Sequence, residues 1–221
     1  CALPIYESAI PYAKEKGLIL GTGVELSCEY KKKSAHVLAY DFSLDHPGFL
    51  DYLKRLQQKR ERRNKEMLER LRRIRVIIEE EELVADNPGV TAIGRPHIAA
   101  LMVKKGYVRS IQEAFRLYIG DQRCCFVPGE AFPVKEAIPI IRAAGGKVFL
   151  AHPHLYANKD HVEEILSLGF DGLECYYGRS LHYKGKHWLK VAEKRGLLVS
   201  GGSDFHFPAS EKAPLGSSYV D

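Results

Sequence analysis

Apolar residues along the chain fall into two alternating patterns. Helical-type stretches over Ala9–Lys16, Val134–Ala144, Val162–Leu168 and His187–Arg195 each end at a glycine. These are Gly17, Gly145, Gly169 and Gly196. A short apolar run follows each one: Leu18–Leu20, Val148–Ala151, Gly172–Cys175 and Leu197–Ser200. Glycine is the expected helix stop, because the left-handed conformation just past a helix penalises a Cβ. Helices alternating with short strands predict a parallel α/β architecture, with working residues at the carboxyl ends of the strands. One hairpin breaks the pattern. Val24–Tyr30 and Ala35–Phe42 alternate like strands on either side of the polar turn Lys31–Ser34.

The middle of the chain reads as helical. Phe49–Ile78 carries Leu53, Leu56, Met67, Leu71, Ile74 and Ile78 at helical spacing. A second helix follows Pro96, and a third starts at Ser110, with Glu113 at the capping-box position. The expected organisation is an α/β core from residues 1–44 and 131–221, with 45–130 as an inserted helical subdomain.

Composition sets bounds. The 221 residues suffice for a substantial core without staples. Hydrophobic residues at 45% and charged residues at 28% fit a globular protein, and no apolar run approaches membrane-span length. Five cysteines without a CxxC spacing suit a reducing compartment, so a cytoplasmic location is expected. The chain opens at Cys1 rather than Met, and an upstream segment is expected. The net charge of +5 is below that of a dedicated nucleic-acid binder, so its distribution matters more. Basic residues crowd the long central helix, from Lys54 to Arg75, interspersed with Glu61, Glu66 and Glu69. They form either a solvated face with helical ion pairs or a track for a phosphate backbone.

Carboxylates and imidazoles cluster at the strand ends. Asp204 and His206 lie two apart after Gly201–Gly202, so on extended backbone both reach one side. His152 and His154 flank Pro153, which should push His152 towards an extended conformation. They are either a structural pair or metal ligands. Glu25, in an otherwise apolar strand, needs a cationic partner or a metal. His36 could approach the same centre from the neighbouring strand. Arg95 and His97 open a helix at Gly94–His97, which is either a proline-started helix with solvated flanking charges or a phosphate site, since a guanidinium fork and a helix N-terminus both suit phosphate. His46, His161, His182 and His187 lack such context and read as surface residues. Tyr176, Tyr177 and Arg179 follow a strand and could line a site mouth. Mixed carboxylate and imidazole donors suit zinc, manganese or iron.

The stretches Gly23–Ser27, His36–Tyr40, Gly94–Ala99, Ala151–His154 and Gly202–His206 together resemble the PHP (polymerase and histidinol phosphatase) superfamily of metal-dependent phosphoesterases. The similarity is to its nucleotide branch of 3′,5′-nucleoside bisphosphate phosphatases and 5′-to-3′ exoribonucleases. It implies a distorted (β/α)7 barrel with an inserted helical subdomain, and two or three divalent ions (Mn, Fe or Zn) at the strand ends. By this resemblance Glu25 bridges metals, while His36, His152, Asp204 and His206 supply further ligands. Arg95 and His97 hold a substrate phosphate, and His154 takes part in the chemistry. The family also begins with an HxH strand that this sequence lacks, so the barrel is expected to be N-terminally truncated. The implied activity is hydrolysis of phosphate esters of nucleotides or short RNA by a metal-activated hydroxide. The alternatives are a small-metabolite phosphatase of the histidinol phosphatase type and a catalytically degenerate RNA-binding module.

Overall fold

The computed structural model describes residues 3–90, 93–129, 131–178, 182–205, 214 and 216–220, without the side chains of residues 3, 4 and 182–184. In order, the elements are α1 (Leu3–Glu15), β1 (Gly23–Tyr30), β2 (Lys33–Tyr40), α2 (Pro47–Arg73), α3 (Glu80–Asp86), α4 (Arg95–Lys104), α5 (Ile111–Ala114), β3 (Phe132–Pro133), α6 (Val134–Ala143), β4 (Lys147–Leu150), α7 (Lys159–Leu166), β5 (Gly172–Tyr177), α8 (His182–Arg195) and β6 (Leu198–Gly202). A π-helical turn, Phe115–Ile119, continues α5, and a 3₁₀ turn, Pro153–Leu155, follows β4. No described helix is long and apolar enough to cross a membrane.

The chain divides into two compact units, residues 10–50 with 131–221 and residues 1–9 with 51–130. The first contains one mixed six-stranded sheet in the order β3-β1-β2-β4-β5-β6. β2 runs antiparallel to β1 and β4, and the remaining neighbours are parallel. The antiparallel pairs come from the hairpin, which closes in a two-residue turn with Lys31 and Lys32 at φ of 51° and 62°. That turn is shorter than the sequence suggested, because Lys33 and Ser34 already pair in β2.

Strand alternation gives the hairpin two unlike faces. Leu26, Cys28, Ala35, Val37 and Ala39 are buried on one. Glu25 and Ser27 on the other are exposed, with His36 half-buried. Helices cover the apolar side of the sheet by their periodicity. α6 buries Val134, Ala137, Ile138 and Ile141, spaced by three and four, and α7 buries Val162, Ile165 and Leu166. The four expected helix-stop glycines take positive φ, as at Gly145 (81°) and Gly169 (96°).

Two expectations need correction. Leu18–Leu20 is not a strand: the Leu18 N–H closes the end of α1 on the Ala13 carbonyl (2.8 Å), and Ile19 is fully exposed. The long central helix stops at Arg73 instead of Ile78. Arg75 turns left-handed (φ 65°) and the Val76 N–H returns to the Leu71 carbonyl (3.0 Å), so Ile78 enters the core from beyond the helix.

The second unit packs α2, α3, α4 and α5 around Met67, Leu71, Ile78, Leu83, Ile98 and Met102. Ser110 caps α5 as expected, its hydroxyl accepting from the Glu113 N–H (3.1 Å).

Candidate active site

The hairpin register decides which polar groups share a side. His36 lies opposite Ser27, and Glu25 is two residues from Ser27, so Glu25 and His36 project from the same face. Glu25 Oε1 lies 2.7 Å from His36 Nδ1. β4 brings the third group. Beyond its end, the Ala151 N–H bonds to the His36 carbonyl (3.0 Å), and His152 follows. His152 Nε2 sits 3.0 Å from His36 Nδ1 and 3.2 Å from Glu25 Oε1. His152 is not extended, as its place before Pro153 suggested. It is left-handed (φ 30°, ψ 59°), because its N–H donates to Glu174 (2.7 Å) and its carbonyl accepts from the Leu155 N–H (3.0 Å).

Glu174, on β5, was missed in the sequence although the same signal marks it as marks Glu25: a carboxylate amid the apolar positions Leu173 and Cys175. It is buried. Asp204 follows β6 and accepts from the Tyr177 hydroxyl (2.9 Å). A cavity of about 200 Å³ is lined by Glu25, Leu38, His152, Glu174, Asp204 and Phe205. Asp204 and His152 thus face one space from distant parts of the sequence. His206 and Arg179 lie outside the described residues. His154 stacks on Tyr177 (ring centroids 5.9 Å, 17°) and meets Trp188 edge-on (6.3 Å).

Electrostatics couple these groups. Burial acts to raise the Glu25 carboxyl, but hydrogen bonds and charge from His152 and His36 win and hold it well below the usual carboxylate range. Burial pulls His152 the other way from its neighbours. The Glu25 hydrogen bond and the charges of Glu25, Glu174 and Asp204 prevail and raise it. Glu174 is pushed up to about 7, chiefly by burial and further by Glu25 and Asp204, against the His152 N–H and ring. Burial also pushes the Tyr156 phenol up to about 12, so it stays protonated while accepting from the His36 N–H (3.1 Å).

The donor chemistry fits a divalent cation. The three donor atoms are mutually 2.7–3.2 Å apart. Ligands about 2.0–2.1 Å from a tetrahedral ion lie about 3.3 Å from each other, so little adjustment is needed. Glu25, His36 and His152 are also the described residues that could hold a metal together.

Arg95 and His97 belong to the helical unit. They occupy the first turn of α4, where the Gly94 N–H donates to His97 Nδ1 (3.1 Å). Arg95 pairs with Asp121 (2.6 Å), and its guanidinium lies 5.6 Å and 5.4 Å from the Phe115 and Phe126 ring centres. Burial, with the charges of Arg60 and Arg95, pulls Arg63 down to about 10. Burial first, and Arg60 as well, lower His97. This is a concentration of positive charge at a helix N-terminus, a setting that favours anions.

No protein-family model matches the sequence. The chain is 30% identical over 206 residues to a 5′-3′ exoribonuclease of Haemophilus influenzae, across 89% of this chain and 73% of the relative. It is 28% identical over 231 residues to a 3′,5′-nucleoside bisphosphate phosphatase of Chromobacterium violaceum, across 98% and 77%. A crystal structure from Bifidobacterium adolescentis, provisionally assigned as a metal-dependent phosphoesterase, superposes with a TM-score of 0.87 at 27% identity over 98% of this chain and 78% of that one. The chain belongs to the PHP superfamily of metal-dependent phosphoesterases. It is a phosphoric ester hydrolase, related to the exoribonucleases and nucleoside bisphosphate phosphatases of that superfamily.

Proposed function

We propose that this enzyme hydrolyses phosphate esters of nucleotides or short oligonucleotides. The observation that carries the reading is the meeting of Glu25, His36 and His152 within 3.2 Å of one another. We infer that these three hold divalent metal together with Asp204 and His206. Within the superfamily's seven-stranded barrel, residues 45–130 would be the inserted subdomain. A bound divalent ion supplies Lewis acidity and a nucleophile at neutral pH.

The chain's own groups have separable tasks. Glu25 is ionised at any working pH, so it offers a full negative charge to a cation. Glu174 accepts the His152 N–H and fixes the left-handed backbone that turns this imidazole towards Glu25. Arg95 is proposed to neutralise phosphoryl oxygens as their charge grows, with His97 as a second contact. His154 is proposed to take part in the chemistry. The similarity to the exoribonuclease and the bisphosphate phosphatase supports nucleotide esters over a small metabolite.

The test is turnover of adenosine 3′,5′-bisphosphate and of a short 5′-phosphorylated RNA in the presence of Mn²⁺. Both should be hydrolysed. Histidinol phosphate hydrolysed in preference to both would overturn the substrate assignment.

A further inference from the structure

A cavity of about 370 Å³ adjoins the donor cluster within the same unit. His36 and His152 form part of its wall, so whatever is esterified to a phosphate held at the cluster has this space beside it. The cavity opens past the end of β4 and beside the start of β2. Ligands of open α/β sheets bind outside the carboxyl ends of the parallel strands. Its volume is near the lower end of the roughly 300–1,000 Å³ of small-molecule pockets, which suits one nucleoside and no more.

The wall chemistry is that of a heteroaromatic guest. Leu155, Ala157 and the Tyr156 ring supply apolar surface, with Leu155 60% exposed at the rim. The Tyr156 ring lies between two imidazoles, 6.5 Å from His152 and 6.3 Å from His161. His161, expected at the surface, is buried on α7, its ring also 5.5 Å from that of Tyr30. Its Nε2 is shielded from water and has no hydrogen-bond partner among the described residues. A nitrogen closed to water is closed to a guest in this cavity as well, so His161 lends the wall its ring and no hydrogen bond.

We propose that this cavity receives the base of a single nucleotide whose phosphate is held at the Glu25–His36–His152 cluster, with Tyr156, Leu155 and the His161 ring as its walls. The assignment rests on the nucleotide reading above. It makes base recognition local to one unit and independent of the metal.

Two exposed wall positions allow a test that spares the core. Ala157→Trp fills the cavity, and Leu155→Ala strips its rim. Adenosine binding is followed by calorimetry on the full chain without added metal. KM is measured for adenosine 3′,5′-bisphosphate and for ribose 3,5-bisphosphate, which lacks the base. Adenosine should bind the native chain and fail to bind Ala157→Trp. KM for the nucleotide should rise about tenfold in Ala157→Trp and severalfold in Leu155→Ala, the scale of a lost base–aromatic contact. The base-free ester should be unaffected. Adenosine binding that Ala157→Trp leaves intact, or an equal loss on both esters, overturns the proposal. If no ester is hydrolysed but adenosine binding still depends on Ala157, the reaction assignment fails and the base pocket stands.

Discussion

Glu174 illustrates how one side chain can serve geometry at the expense of stability. A carboxyl whose folded value is raised from 4.5 to about 7 contributes stability that is complete below 4.5 and lost as pH rises through 7. Glu174→Gln keeps an acceptor for the His152 N–H and removes the charge. In the metal-free protein it should therefore gain on the native chain between pH 5 and pH 8, by up to roughly 3 kcal/mol. Melting temperatures of both proteins at the two pH values check this, and a constant difference would count against it. Glu25 has the opposite sign. Its depressed carboxyl lends stability that is present above 4.5 and lost as pH falls further. Glu25→Gln should lower bound Mn²⁺ by at least about tenfold, measured by equilibrium dialysis, since the site loses its anionic donor. Glu25, His36 and His152 were legible as candidate ligands because polar groups at strand ends stand out against apolar runs. Glu174 bears the same signal but not its role, and His161 bears none. Nothing in a linear sequence says that Glu174 faces the His152 backbone or that His161 falls on the buried stripe of α7.

At the scale of elements, β5 leaves no room for a side chain at Gly172, opposite Phe149 of β4. A Cβ on Gly172 would meet the Phe149 ring at 2.1 Å. Gly172→Ala should cost about 1–3 kcal/mol as the ring is forced from its place, readable as a lower urea midpoint with unchanged slope. The basic helix α2 carries a different expectation. If its arginines follow a phosphate backbone, hydrolysis of an oligonucleotide should fall steeply between 50 and 200 mM salt, by about 10³ or more if six phosphates are contacted. A mononucleotide should respond far less, and matching salt profiles would remove the track. Most elements could be read from periodicity and glycine stops, since those signals are local. The end of α2 could not be. Ile74 and Ile78 continue the apolar spacing, and only the left-handed turn at Arg75 separates them. Leu18–Leu20 looked like a strand for a similar reason: hydrophobicity alone does not supply a pairing partner.

For the molecule as a whole, metal binding and stability should be linked. At Mn²⁺ concentrations about a hundredfold above Kd the native state gains about 2.7 kcal/mol, roughly 5–10 °C in Tm for a chain of this size. Thermal melts with Mn²⁺ and then with excess chelator should show the rise and its reversal, and Glu25→Gln should show at most about half of that rise. The order of donors along the chain has a separate consequence. Glu25 and His36 precede residues 51–130, and His152, Glu174 and Asp204 follow them. None of the candidate ligands is drawn from the intervening stretch. With Arg95 and His97 retained, that stretch is therefore a natural graft point: lengthening, trimming or exchanging the rest of it should retailor substrate choice without rewriting any metal ligand.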